Sequence, residues 1–257
     1  MRWSRHRSGF PALTADTDVL DTDLLRPLID EHLAAGRPAG WFEPAYGRAV
    51  AQRRRLPWQE GAPHPWVQSW LADPVHRPPG RRALLLGCGD GEDTTPLLAA
   101  GLEVTALDIA PTALAWARAR AHARGEDGAV RWVEADLLDV PSELAGAFDL
   151  VVEVHTVPWL PGVVRDAAMA AVGGLLAVGG VALVITAVTP GEEHRAAAAG
   201  PPWSQAPSEL AAYRAGGLVR LALEHPPALD GAALEVRMTW QRAAGAPVVT
   251  PGALPIH

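Results

Sequence analysis

Lysine is absent from this 257-residue sequence, so all 22 basic side chains are arginine, and cysteine occurs once, at Cys88. A single cysteine excludes an internal disulfide. The all-arginine complement reads as GC-rich codon usage and carries no chemistry. Positive charge is also in deficit, with 29 acidic residues and a net charge of -7. An acidic surface repels a phosphate backbone, which argues against a nucleic-acid partner. The one basic run, Arg53-Arg54-Arg55, reads as a solvated helix end. No long uninterrupted apolar run exists either. The stretch from Val172 to Val188 is broken by four glycines, which fits a buried strand better than a membrane span. Met1 to Phe10 carries three arginines and a histidine and no apolar core, so no signal peptide is expected there. These absences predict a cytoplasmic protein with no membrane or nucleic-acid partner; the oligomeric state, monomer or homodimer, is left open by the sequence.

What is present has the organisation of an α/β protein. The chain is long enough for one large domain with a sizeable core. Apolar spacing predicts a helix over residues 22–33 with Asp21 as its cap, another over 45–56, and a third over 66–71 stopped by Pro74. Pro78-Pro79-Gly80 reads as a linker. Beyond it, short apolar strands alternate with helices: strands at 83–86, 104–107, 130–133, 148–152 and 181–187, and helices at 94–100, 111–123 and 165–176. That alternation predicts a doubly wound, mainly parallel sheet. Residues 208–214 read as helical. Residues 218–224 and 233–241 read as two further strands, an antiparallel pair at one edge joined by a turn at Asp230-Gly231. The expected organisation is an N-terminal helical cap over 1–79, a core over 80–245 and a loose tail over 246–257.

The chemistry concentrates after the first core strand, in Gly87-Cys88-Gly89-Asp90-Gly91-Glu92-Asp93. Alternating glycines let the backbone turn sharply and approach a ligand, and ligands of open parallel sheets bind beyond the carboxyl ends of the strands. The next strand ends at Asp108, 17 residues after Gly91. A carboxylate there can accept both hydroxyls of a ribose. Asp136, after the third strand, can accept from an adenine amino group. A pyrophosphate favours a helix start free of competing anions. Asp90, Glu92 and Asp93, expected in the first helical turn, would repel it and attract a sulfonium or an ammonium. The GxGxG spacing also departs from GxGxxG. Both features point away from NAD and toward S-adenosyl-L-methionine (SAM).

The segment from about Arg82 to Ala187 resembles motif I and its neighbours in class I SAM-dependent methyltransferases. The resemblance implies a Rossmann-like, seven-stranded sheet whose antiparallel edge strand would be Ala233 to Gln241, SAM as cofactor and a small-molecule methyl acceptor as partner. A narrower resemblance, to the thiopurine S-methyltransferase and halide/thiol methyltransferase family, is carried by Leu56-Pro57-Trp58-Gln59-Glu60-Gly61, Asp108-Ile109, Ala113-Leu114 and Gly200-Pro201-Pro202-Trp203. The chain departs from that family at Gln59, where Asp is frequent. By resemblance, Trp58 would pack near the methionine part of SAM, and Gly87, Cys88, Gly89, Gly91 and Asp93 would form the cofactor loop. Asp108 with Ile109 would hold the ribose, Asp136 with Leu137 would flank the adenine, and Glu153 would sit where the strand-four loop passes the methyl group.

Methyl transfer requires mainly alignment and water exclusion, with a base only where the acceptor must lose a proton. His155, after the fourth strand, is the candidate base, beside Glu153; His64 is a weaker one. Trp159 and Trp203 follow strands four and five and are candidates, with His155, to shape an apolar acceptor pocket. Most of the 10 tryptophans read as structural. Cys88 stands alone and the histidines are scattered in sequence, so no metal site is expected. Two alternatives share these motifs: a SAM-binding protein that performs regulation or other chemistry, and an NAD-linked oxidoreductase, against which the acidic loop weighs.

Overall fold

The computed structural model describes residue 10 and residues 17–126, 128–189, 201–203, 205–225 and 234–245. Its centre is a seven-stranded sheet in the order β3-β2-β1-β4-β5-β7-β6. β1 (Arg82–Leu86), β2 (Glu103–Asp108), β3 (Val130–Glu134), β4 (Phe148–Val154) and β5 (Leu176–Val188) run parallel. Their near-continuous apolar sequences follow from burial on both faces. Leu84 and Leu86 of β1 enter one core with Val151 and Val184, while Ala83 and Leu85 enter the other with Leu150 and Leu183. α4 (Thr94–Ala99) and α5 (Pro111–Arg124) supply Leu97 and Leu114 to the second core, and α6 (Gly162–Leu175) supplies Val164, Met169 and Val172 to the first. The sheet is thus wound on both faces. Proline at the start and a left-handed Gly125 at the end set the length of α5.

The antiparallel pair differs from expectation in one respect. β7 (Leu234–Arg242) lies inside the sheet between β5 and β6 (Leu218–Glu224), so β6 is the edge strand. Composition explains the placement: β7 buries Val236, Met238 and Trp240, whereas β6 leaves Val219 and Leu221 exposed. β5 also begins earlier than its apolar run, passing through Gly179-Gly180 with an irregular register against β4. The expected helix over 208–214 is a 3-10 turn at Glu209–Ala211 followed by the short α7 (Ala212–Ala215). The expected turn at Asp230-Gly231 and tail over 246–257 lie outside the described residues. No helix among the described residues is long and apolar enough to cross a membrane.

Three helices precede the sheet: α1 (Arg26–Ala34), α2 (Phe42–Gln52) and α3 (Pro65–Ala72). Asp21 caps the 3-10 turn leading into α1. α2 stops at Gln52 because Arg53 turns left-handed, and Arg55 does not simply face solvent: it donates to the Thr17 and Gln59 carbonyls. α1 and α2 bury Leu25, Ile29, Trp41 and Tyr46 against Ala110, Ala113 and Trp116 beside the carboxyl end of β2. Full burial of each large apolar side chain contributes about 1.5–3 kcal/mol, enough for this cluster to fasten the helices there. Glu43 adds direction, accepting from the Thr112 N–H at 2.9 Å and its hydroxyl at 2.6 Å at the start of α5. α3 instead packs on the sheet through Val67 and Trp70, whose indole donates to Thr239 of β7.

Candidate active site

The chain leaves β1 toward β2 and β3 on one side and occupies β4 and β5 on the other, so the strand order reverses at β1. The crevice expected at such a switch point is present. A cavity of about 1160 Å³, its open mouth included, lies over the carboxyl ends of β1, β2 and β4 and beneath the N-terminal helices. Gly87, Cys88, Gly89, Asp93, Asp108, Ile109, Asp136, Leu137, Trp58, Trp159 and His155 all line it, so most of the sequence-derived candidates converge.

The glycine loop owes its shape to two close approaches. Gly87 has φ +61°, and a Cβ there would stand 2.4 Å from the Thr156 hydroxyl, which itself donates to the Leu86 carbonyl. This contact ties the β1 loop to the β4 loop. Gly91 does not line the cavity: at φ +76° its missing side chain admits Ala117 of α5 and Trp132 of β3. It is a packing glycine rather than a ligand contact. The buried Cys88 thiol is pushed well up by desolvation, then by Asp108 and Asp90, and faces the Gly89 carbonyl as an inert group.

Asp108 closes β2 as a buried carboxylate that accepts from the Gly89 N–H at 2.8 Å and the Ala110 N–H at 2.9 Å, one bond to each oxygen. Each oxygen keeps a lone pair for a further donor. Burial raises its pKa to about 6 against the pull of those N–H groups. Asp136 accepts from the Leu138 N–H, which shapes the turn after β3.

The other acids lie in the loop before α4, which begins only at Thr94. Their arrangement corrects the expected helix-start cluster. Arg120 of α5 ion-pairs with Asp90 at 2.7 Å and abuts Glu92, an arginine that no sequence motif marked. Asp93 accepts from the His64 N–H at 2.7 Å. Arg120 thus serves two of the three carboxylates, and Arg124 reaches the Gly91 carbonyl of the same loop. Burial, then the Asp90 charge, raises Glu92 to about 7, with Arg120 opposing.

A stability prediction follows. Asp108 and Glu92 bind protons more readily folded than unfolded, where their pKa values are about 3.9 and 4.3. Their contribution is therefore complete below about pH 4 and lost as pH rises through about 6 and 7. Glu92→Gln should raise the melting temperature of the ligand-free protein by roughly 3 °C at pH 8, reflecting about 1 kcal/mol after solvent screening. At pH 5 it should change little. Scanning calorimetry at both pH values checks this; a less stable variant at pH 8 would show that the Arg120 contact outweighs the repulsion.

Glu153 is not where the sequence reading put it. It is fully buried at the end of β4 and does not line the cavity. One oxygen accepts from the Thr156 N–H at 2.7 Å and the Val157 N–H at 3.1 Å, and the other accepts from the Tyr213 hydroxyl at 3.0 Å. Burial pushes its carboxyl up while those donors draw it back. Fully buried and held by three donors, Glu153 clamps the loop that presents His155. Trp203 is likewise outside the cavity lining; its N–H donates to Pro158 and its ring packs with the N-terminal cluster.

Trp58 and Trp159 do meet, with ring centroids 4.6 Å apart. The Trp58 indole donates to the Tyr46 hydroxyl at 2.9 Å, and Phe42 completes the aromatic wall. Neither residue carries a sequence signal of its own: Tyr46 falls in the helix expected over 45–56, and Phe42 precedes it.

The scatter of histidines in sequence is not a scatter in space. His64 and His155 both direct Nε2 at one oxygen of Glu235 on β7, at 3.1 and 2.9 Å. These ligand-type atoms lie within 4.8 Å of one another, a grouping able to hold a metal ion. The hydrogen bonds of His64 oppose that use. As the N-cap of α3, its Nδ1 accepts from the Trp66 N–H at 3.2 Å. The neutral ring therefore carries its proton on Nε2, where a metal would need the lone pair. The His155 bond, then the His64 bond, lowers Glu235 to about 2 and keeps it ionised. For His64 burial works downward, but Glu235 outweighs it and raises the ring above its ordinary value. The Trp66 cap limits that rise, since a proton on Nδ1 would face its N–H.

Residues 83–180 match the family described as a methyltransferase domain. Among solved structures, one concerning conversion of a disulfide bond into a thioacetal group during echinomycin biosynthesis is 23% identical with a TM-score of 0.62, over 80% of this chain and 91% of that one. The [4+2]-cyclase SpnF is 17% identical with a TM-score of 0.61, over 93% and 100%. The 1,6-didemethyltoxoflavin-N1-methyltransferase of Burkholderia thailandensis, solved with its substrate and S-adenosylhomocysteine, is 17% identical with a TM-score of 0.56, over 90% and 94%. No curated protein matches the chain. At these identities the likenesses establish the fold, a Rossmann-like methyltransferase fold.

Proposed function

We propose that this chain is a SAM-dependent methyltransferase acting on a small, hydrophobic molecule. S-adenosyl-L-methionine is its cofactor. The observation that carries the reading is the cavity over β1, where a buried strand-end carboxylate, an acidic loop and an aromatic wall face one space. The residues fit the cofactor on three counts. Asp108 retains a lone pair on each oxygen for two ribose hydroxyls. The uncompensated charge among Asp90, Glu92 and Asp93 complements an ammonium and a sulfonium and opposes a pyrophosphate. Trp58 offers a ring to a cation beside that loop. The methyltransferase-domain match and the S-adenosylhomocysteine complex of the toxoflavin-pathway neighbour support the same cofactor.

In this reading Gly87 and Gly89 bring backbone close to the cofactor, with Cys88 and Asp93 beside them. Asp108 with Ile109 holds the ribose, and Asp136 with Leu137 flanks the adenine. When bound, the sulfonium supplies an already activated methyl group, so the protein's task is alignment and exclusion of water. Phe42, Trp58, Trp159 and Leu160 form the apolar side of the cavity and would seat the acceptor. The helices of residues 17–72 form the cap that covers both ligands. Thiopurine and halide substrates are not carried over from the narrower resemblance.

Labelled-methyl SAM incubated with hydrophobic hydroxyl, amine and thiol compounds tests the proposal. Label in an extractable product is expected; SAM binding with no transfer to any acceptor, including a crude metabolite extract, would contradict it. The cyclase neighbour favours a second reading, in which the same sheet binds SAM and performs other chemistry. Turnover of a substrate without loss of the methyl group would establish that one.

A further inference from the structure

Resting on the methyl-transfer reading, we infer that Glu235, which also receives His64, holds His155 in the tautomer whose free Nδ1 takes a proton from the acceptor. The acceptor is accordingly a protic nucleophile, a hydroxyl, N–H or thiol that carries its hydrogen into the cavity.

The tautomers follow from one another along the chain of hydrogen bonds. The Trp66 N–H occupies Nδ1 of His64, which places the His64 proton on Nε2 and makes that nitrogen a donor to Glu235. An ionised carboxylate only accepts. His155 Nε2, at 2.9 Å from the same Glu235 oxygen, must therefore also donate. The lone pair of neutral His155 is left on Nδ1, which has no partner among the described residues, on a side chain that lines the cavity. Carboxylate control of the distal imidazole nitrogen is the arrangement that equips a histidine for proton abstraction.

The backbone holds the ring in place as well. His155 sits at φ +52°, a conformation uncommon for a residue with a side chain. Its N–H donates to the Ile185 carbonyl at 2.8 Å, and Glu153 fixes the next two amides. His155 thus stands on an over-determined turn at the end of β4, tied to β5.

The step balances simply. The acceptor's proton passes to His155 Nδ1, its electron pair forms the bond to the methyl carbon, and the carbon–sulfur pair stays on sulfur. The resulting imidazolium is held by ionised Glu235, and the proton leaves to solvent. A halide ion has no proton to give and would make no use of this relay. A metal in the same place would need the His64 lone pair that the α3 cap precludes.

Long-range proton–nitrogen NMR of the full chain, labelled at histidine, reads the tautomers without any ligand. Both His64 and His155 should carry hydrogen on Nε2. In Glu235→Ala the His155 preference should be lost while His64, still held by Trp66, keeps its own; Glu235→Gln, whose amide oxygen still accepts, should keep part of it. With a phenol as probe acceptor, Glu235→Ala should lower kcat about 100-fold. KM and S-adenosylhomocysteine affinity should change less than about threefold. Wild-type His155 protonated on Nδ1, a stoichiometric metal ion by elemental analysis, or methyl transfer to the phenol that survives Glu235→Ala undiminished would each overturn the inference. Lack of S-adenosylhomocysteine binding by the wild type would overturn the methyl-transfer reading as well, whereas an Nδ1–H His155 in a protein that binds it overturns this inference alone.

Discussion

Asp108→Ala is expected to weaken binding of SAM and S-adenosylhomocysteine by about 100-fold or more. Hydrogen bonds to a charged acceptor contribute about 1.5–3 kcal/mol each, and two ribose hydroxyls would lose theirs together. The substitution also frees the Gly89 and Ala110 N–H groups, so the loop loses part of its shape. Asp108→Asn separates the two effects. An asparagine retains one accepting oxygen and nearly the same volume, so it should keep the fold and lose part of the affinity. Both ligands should weaken in parallel, because the ribose is common to them. Isothermal titration calorimetry on the three proteins checks this, and equal affinities across them would refute the ribose assignment.

Glu153→Ala should cost stability rather than chemistry. It strands the Thr156 and Val157 amides and the Tyr213 hydroxyl in a site with no exposure. An unsatisfied buried donor costs about 1–3 kcal/mol, and three of them set an expected loss of about 3 kcal/mol or more. On a chain of this size that lowers the melting temperature by roughly 6–12 °C. Glu153→Gln, which can still accept at one oxygen, should lose less. A variant that melts like the wild type but transfers no methyl group would return Glu153 to the chemistry and contradict its placement as a clamp.

The history of that residue shows where sequence reasoning stopped. The strands were legible because parallel strands buried on both faces must be short, apolar and followed by turns; Leu84, Leu85 and Leu86 before Gly87 leave little alternative. Asp108 was legible for the same reason, since a carboxylate at a strand end follows from spacing alone. Glu153 occupies an equivalent strand-end position, yet its side chain turns inward to Tyr213, 60 residues away. Nothing local distinguishes the two acids. The position of β7 was likewise hidden, because antiparallel strands of similar apolarity can exchange edge and interior, and only the deep burial of Trp240 and Met238 decides.

The grouping of His64, His155 and Glu235 is not legible in the sequence, although each histidine stands out singly as a candidate base. His64 and Glu235 are 171 residues apart, and His155 and Glu235 are 80 apart. His64 is placed by a helix cap, His155 by a left-handed turn and Glu235 by an interior strand. Each has an ordinary local explanation, and only the assembled sheet makes them one unit. Arg120 is similar: within α5 it looks like a solvated helix arginine, but it meets the loop acids from the next element. Sequence periodicity specifies which face a residue occupies; it does not specify which distant side chain shares that face.

The most direct test is a calorimetric titration of the purified wild-type chain at pH 7.5 with SAM, S-adenosylhomocysteine and NAD in turn. Tight binding of the first two and none of the dinucleotide is the predicted result, because the wall that receives the adenosyl group bears surplus negative charge. Binding of NAD, or indifference to both adenosyl ligands, would contradict it.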